Sequence, residues 1–436
     1  MDRRLGLAAA TSAVAGQVIA VGIFLTPATM ARTLGSPFWL LAAWLLMGGM
    51  ALSGALVYGE LASRYPEAGG GYVYLREAYG RRLAFLYGWK CLLVMDPGIT
   101  AALASGLAAY VAYLTPLGAS GQKVVAVSAI AVAAAINIRG SLLGARVLQG
   151  FTVLKLGSLA AIVVLAFALG RGSWSHFLPL VERHAGSPPL GDALAGGLIS
   201  AFFAFGGWWE ASKLSGEVID PGRTMPRALA LGVTIVTAAY IVTSAAFLYL
   251  VPVEQVTSGE AFAAQAGEVL FGAVGGTIFA AIVVVSVAGS LIAVVMMLPR
   301  VYYAMGRDGV FPAAVGELSR QGTPARAIVI EAALASVLVL AGTFDQIVAY
   351  FVFITVLFIA MTVASVYVIR RRGLPPGEYQ TLGYPVTPAI FLGLVALLLV
   401  LLAAHNPVQA VAGTLVVALG LPVYAMIERG ARATPR

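Results

Sequence analysis

Ala204-Phe205-Gly206-Gly207-Trp208-Trp209 interrupts an otherwise apolar run over residues 192–214. Ile19-Ala20-Val21-Gly22-Ile23-Phe24 does the same inside the first apolar run, residues 11–31. The two interruptions lie about half a chain apart. Inside lipid, backbone that leaves a helix has no water to bond, so it is tolerated only where it faces protein or a cavity. A matched pair of glycine-interrupted spans in corresponding halves therefore marks a ligand site near the bilayer midplane.

The composition requires a membrane. Hydrophobic residues make up 60% of the chain and charged residues 11%, against roughly 25% charged in soluble domains. Apolar runs recur at the length of roughly 20 residues that spans a bilayer. The expected fold is all-α, a polytopic membrane protein with twelve transmembrane helices. The expected spans are 11–31, 37–62, 83–113, 122–139, 146–170, 192–214, 226–251, 272–303, 325–342, 345–369, 387–404 and 408–427. Residues 1–436 read as a single transmembrane domain with no separate soluble part. The first run follows Asp2-Arg3-Arg4 and has the look of a signal peptide, but the polytopic chain after it favours retention as the first span.

The formal net charge is +8. Arg64, Arg76, Arg81, Arg82, Arg139, Arg146, Arg223, Arg227, Arg300, Arg307 and Arg370–Arg372 all fall on one side of this topology. Arg32, Lys123, Arg171 and Arg183 fall on the other. This asymmetry is the positive-inside pattern and places both termini in the cytoplasm. The lipid bilayer explains the basic loops, so no nucleic-acid partner is expected. The single cysteine, Cys91, excludes an internal disulfide. His176, His184 and His405 fall at loops or span ends without metal-ligand spacing, so neither a metal nor a cofactor is expected, and the histidines read as solvated.

Several motifs resemble one family. Gly16-Gln17-Val18-Ile19-Ala20-Val21-Gly22-Ile23-Phe24 with Pro27 is similar to the first-helix signature of the amino acid–polyamine–organocation superfamily of permeases. Tyr58-Gly59-Glu60-Leu61 and the segment Tyr65–Tyr74 resemble its loop after the second helix. Residues 203–208 with Glu217–Pro221 and Thr224–Ala228 resemble its sixth-helix motif, and Pro299–Gly309 the end of its eighth helix. Gly383-Tyr384-Pro385 also fits, and the details are closest to bacterial members near the L-type branch. The resemblance implies two inverted five-helix repeats, about residues 11–170 and 192–369, with two further helices at about 387–427. It implies a substrate held between broken helices one and six, by Ile19, Ala20, Val21, Gly22, Phe205, Gly206, Gly207 and Trp208. It also places a bulky gate at Trp208, a residue that by itself reads equally well as a core tryptophan. The family often has glycine at the position of Ala20 and a small or hydroxyl residue at Val21; here the backbone donors remain while the cavity narrows.

The chemistry of a helix break agrees with that expectation. A half-helix N-terminus offers N–H donors and partial positive charge to a carboxylate, and a half-helix C-terminus offers carbonyls to an ammonium. An α-amino acid carries both groups on one carbon. Two breaks can read that shared part and leave the side chain to a separate, apolar pocket.

Ionisable residues inside spans are expensive and mark function by default. Lys155 lies about nine residues into the fifth span, roughly 14 Å deep at about 1.5 Å per residue. The resemblance implies that its ammonium takes the place of a sodium ion, with Ser286 or Ser290 supplying the opposing oxygen. Proton coupling and a permanently charged helix pin both remain open. Asp96, before Pro97, reads as a substrate or proton contact, as a bracket for a kink, or as a partner for Lys90. Glu210 and Lys213, three apart, read as an ion pair or as vestibule lining, and Glu331 as a neutral buried carboxyl.

The expected function is a sodium-independent secondary transporter of neutral, apolar α-amino acids, working by alternating access, proton-coupled or exchanging, in the inner (plasma) membrane that the resemblance implies. A polyamine or organic-cation permease is the nearest alternative and requires a carboxylate, Asp96 or Glu210, at the centre. A membrane-embedded enzyme requires a cluster of catalytic side chains, and a channel a charged or carbonyl-lined filter; neither is visible.

Overall fold

A computed structural model describes residues 3–433 except 4, 20–21, 68, 140–143, 257–261, 321 and 374–376. The side chains of 25, 144–155, 214, 217, 297, 300, 303, 304, 307, 313 and 430–433 also lie outside the described set. Ala20, Val21 and the side chain of Lys155 are thus outside the described residues.

The described chain is helical, with one isolated parallel bridge, Leu5 to Val218. The helices are α1 (Leu7–Val18), α2 (Gly22–Leu34), α3 (Pro37–Arg64), α4 (Gly71–Tyr79), α5 (Arg81–Lys90), α6 (Asp96–Leu114), α7 (Ala119–Ile138), α8 (Gly144–Ala168) and α9 (Leu190–Phe205). They continue with α10 (Pro221–Leu250), α11 (Phe262–Met297), α12 (Arg300–Arg307), α13 (Ala325–Ala341), α14 (Phe344–Arg371), α15 (Val386–His405), α16 (Pro407–Ala418) and α17 (Gly420–Ala433). Nine helical stretches among the described residues are long and apolar enough to cross a membrane. The expected first span is divided by its break into α1 and α2, and the expected ninth, α13, is only 17 residues long.

Local signals set the boundaries. Ser36 accepts from Trp39 N at 3.3 Å ahead of Pro37, a side-chain cap with proline in the first turn. Thr343 and Gln346 form a reciprocal capping box at the start of α14. Cys91–Met95 is a π turn joining α5 to α6 immediately before Asp96-Pro97. The wider turn absorbs the hydrogen bond and the space that Pro97 takes from a regular helix.

The two interrupted spans are packed together at the centre. The largest packing surface joins α3 to α10; α1 lies on α10 and α2 on α9, while α11 packs on α6 and α8. The Ile219 N–H donates to Leu5 O at 2.9 Å, so the segment before α1 is tied to the segment after the second break.

Candidate functional site

Helix α1 stops at Val18, and Ile19 leaves helical geometry (φ −72°, ψ 61°) before α2 begins at Gly22. Helix α9 stops at Phe205; Gly206 is extended (φ −53°, ψ 141°) and Gly207 has φ 108°, after which Glu210–Glu217 forms a 3-10 segment. Gly207 therefore occupies backbone space that a residue with a Cβ rarely enters. Gly22 is required for a different reason: a Cβ there would collide with the Ala204 backbone and lie 2.8 Å from its Cβ. A Cβ on Gly207 would meet Gln17 O at 3.4 Å, so the breaks lie side by side.

The geometry brings the donor end of α2 next to the acceptor ends of α1 and α9. The first N–H groups of a helix and its last C=O groups have no partner within the helix. Tyr240, in the middle of α10, reaches two of these carbonyls. Its hydroxyl lies 2.8 Å from Val18 O and 2.7 Å from Ala204 O and donates to them. Its ring packs on Trp44 at 5.0 Å and on Phe205 at 5.2 Å, and Trp44 Nε1 donates to Ser244 Oγ at 2.8 Å. Tyr110 donates to Phe24 O at 2.7 Å from the α6 side. Neither tyrosine was singled out from the sequence. A phenol in the middle of an apolar span is the signal that would have found them, since its hydroxyl must bond inside the protein.

The expected binding residues separate in space. Ile19, Gly22, Gly206 and Gly207 stay at the breaks. Phe205, expected in a side-chain pocket, is instead committed to Trp44 and Tyr240. Trp208, expected as a gate over the substrate, is 2% exposed and packs edge-on against Tyr58 at 5.1 Å, with Trp209 and Phe391 around it. Gly54 makes the room, because a Cβ there would stand 2.6 Å from the indole. In this conformation the Trp208 ring is wedged beside α3 and α15.

A cleft of about 200 Å³ opens between α2, α9 and α14, beyond the breaks and away from the Leu5–Val218 tie. Thr26, Thr29, Thr33 and Ser200 give it hydroxyls, Asp345 a carboxylate and Phe203 an aromatic wall. Phe203 packs edge-on against Phe344 at 5.7 Å and Phe351 at 6.0 Å.

The membrane-embedded charges fall into a second region. Glu210 and Lys213 form the expected ion pair. Lys90 is 1% exposed and points its ammonium at Met95 Sδ (2.9 Å) and the Tyr87 ring (4.7 Å), without a carboxylate in ion-pair reach among the described residues. Asp96 is fully buried and neither oxygen has a hydrogen-bond partner, so it neither pairs with Lys90 nor brackets the kink. Glu331 is also fully buried and accepts from Thr100 Oγ1 at 2.6 Å. Ser286 and Ser290 donate to carbonyls one turn back in α11, at 2.7 and 3.2 Å. The histidines are not simply solvated: His405 Nε2 lies 2.5 Å from Asp192 and His176 Nδ1 2.9 Å from Tyr249 O.

On the cytoplasmic side of the expected topology, buried Glu60 holds α3 to the end of α14. It accepts from Arg370 at 2.9 and 2.7 Å and from Thr381 N and Oγ1 at 2.7 Å each. The Arg370 guanidinium also stacks on Tyr384, 3.8 Å from the ring centre.

Comparison with known proteins agrees with this architecture. A family profile described as amino acid permease matches residues 5–427. The serine/threonine exchanger SteT of Bacillus subtilis is 32% identical over 393 residues, 89% of this chain and 87% of its own. The Asc-type amino acid transporter 1 of Mus musculus is 26% identical, with 97% of this chain and 81% of its own covered. The large neutral amino acids transporter small subunit 2 of Homo sapiens is 27% identical, with 97% and 80% covered.

Proposed function

Because the chain belongs to the amino acid permease family of the amino acid–polyamine–organocation superfamily, we propose that its paired helix breaks hold the α-amino and α-carboxyl groups of a small neutral amino acid. The chain is a multi-pass membrane amino acid transporter and not an enzyme. One observation carries the finer reading: the α2 N-terminus lies against the C-termini of α1 and α9, with Gly22 in contact with Ala204. The carboxylate goes to the α2 donors and the ammonium to carbonyls at the ends of α1 and α9.

The hydroxyl-lined cleft supports small polar side chains, as does the serine/threonine exchanger among the relatives. Phe203 is the outer gate of this reading. The Leu5–Val218 tie closes the opposite side, and alternating access must open it as the cleft shuts. Twelve crossings in two inverted five-helix repeats plus two helices, with both termini cytoplasmic, complete the proposal. In this reading Lys155, on α8, which packs on α11, takes the place of a sodium ion, as the family resemblance implies, with Ser286 or Ser290 as the opposing oxygen, so transport is sodium-independent and runs as exchange or with protons. The polyamine alternative is disfavoured because Glu210 is occupied by Lys213 and Asp96 is sealed from the cleft.

Counterflow in proteoliposomes tests this reading. Liposomes preloaded with serine, threonine or alanine should take up labelled serine equally in sodium and choline media. Uptake only of putrescine, or only in sodium, would refute it.

A further inference from the structure

Among the described side chains, the cluster beneath the second break contains more carboxyls than cations. Asp96 interacts with Glu331 across α6 and α13, and Lys90, Glu210 and Lys213 are the other described charged groups around it. The neutral groups facing it are Tyr302 of α12, and Tyr87 and Cys91 from its own stretch of helix. Three carboxyls stand against two ammoniums. If all were ionised, the cluster would carry an unbalanced buried negative charge, which is costly in a medium that cannot solvate it.

The hydrogen bonds distinguish the acids. Glu331 has Thr100 as donor and, among the described side chains, no cation beside it, and burial without a counter-charge favours its neutral form. Asp96 is different. It faces the ammoniums of Lys90 and Lys213 and the carboxylate of Glu210, yet both its oxygens and the Tyr302 hydroxyl are buried without partners. An ionised carboxylate is stabilised by donated hydrogen bonds, and the one hydroxyl set toward Asp96, that of Tyr302, stands outside normal hydrogen-bond geometry. Exposure falls from Lys213 (20%) and Glu210 (11%) to zero at Asp96, so the ion pair is where water comes nearest.

We propose that Asp96 is a proton-binding site of the membrane core, exchanging its proton with water by way of the Glu210–Lys213 pair, and that its charge state sets how firmly the 210–217 segment is held to α6. Ionised Asp96 attracts Lys213 and keeps the segment in place. A proton from the water phase neutralises the carboxylate and loosens the hold, and the proton leaves when the segment returns. The site takes only a proton and is separate from the amino acid site at the breaks. The inference uses the transporter reading solely for the segment's movement.

The test needs two readouts. In substrate-free protein, acidification should bring up an infrared C=O band of a protonated carboxyl that is absent in Asp96→Asn and retained in Glu331→Gln. In exchange assays, the wild-type rate should change about fivefold or more between alkaline and acidic media, the low end of ordinary coupling, and the Asp96→Asn rate should stay flat. No acid-dependent carboxyl band in the wild type, or a band unaffected by Asp96→Asn, overturns the proposal even if transport proceeds as expected. So does an Asp96→Asn profile that parallels the wild type. Should Asp96→Asn fail to fold, the wild-type band and its shift in Tyr302→Phe decide; an unshifted band counts against Asp96.

Discussion

Tyr240→Phe removes one oxygen and nothing else from the point where the two interrupted helices end. The ring contacts with Trp44 at 5.0 Å and Phe205 at 5.2 Å remain. Lost is the hydroxyl 2.8 Å from Val18 O and 2.7 Å from Ala204 O, both buried beyond the reach of water. A buried acceptor deprived of its donor costs about 1–3 kcal/mol. The phenol has a single proton, so the two carbonyls share one bond and the loss is counted once. The substrate-free protein should be destabilised by about 1–3 kcal/mol, lowering its melting midpoint by a few degrees at most. Thermal unfolding in detergent, followed by tryptophan fluorescence, measures this. Tyr367→Phe is the control, because that hydroxyl donates to Pro385 O at 2.8 Å in an exposed setting and should matter little. A Tyr240→Phe midpoint equal to the wild type, or a larger drop in Tyr367→Phe, would refute the idea that Tyr240 pins the two helix ends.

Three further outcomes are expected. Gly207→Ala has room for its methyl group, so its penalty is in the backbone at φ 108°, roughly 1–3 kcal/mol; unfolding and serine-binding titrations should both show the loss. Arg370→Met strands the buried Glu60 carboxylate and should cost about 3–5 kcal/mol, with much of that recovered in the Arg370→Met/Glu60→Gln double variant; a double-mutant cycle without recovery would contradict the lock. Lys155→Ala should insert normally but slow exchange several-fold, which quantitative membrane immunoblots paired with uptake rates would check.

The sequence carried the breaks because glycine inside an apolar run has a local physical meaning. Helices α1 and α9 end within a residue or so of where the pattern placed the interruptions. The pairing of Glu210 with Lys213 was legible for the same reason, since residues three apart share a helical face. What was not legible depends on partners far along the chain. Tyr240 and Val18 are 222 residues apart. The gate expected at Trp208 came from the family resemblance at the glycine break, whereas Gly54, Tyr58 and Phe391, distant in sequence, decide where its ring lies in this conformation. Phe203 lines the cleft because α9 turns that face toward α14, a contact no local pattern announces. Asp96 looked like a kink bracket until the π turn at Cys91–Met95 accommodated Pro97 without it.

The central claim is that one α-amino acid sits between the two helix breaks, and a structure determined with bound serine tests it most directly. The account predicts the carboxylate at the N–H groups that open α2 and the ammonium at carbonyls closing α1 and α9. Serine found only among the hydroxyls of the Thr26–Ser200 cleft, or against Asp96, would contradict it.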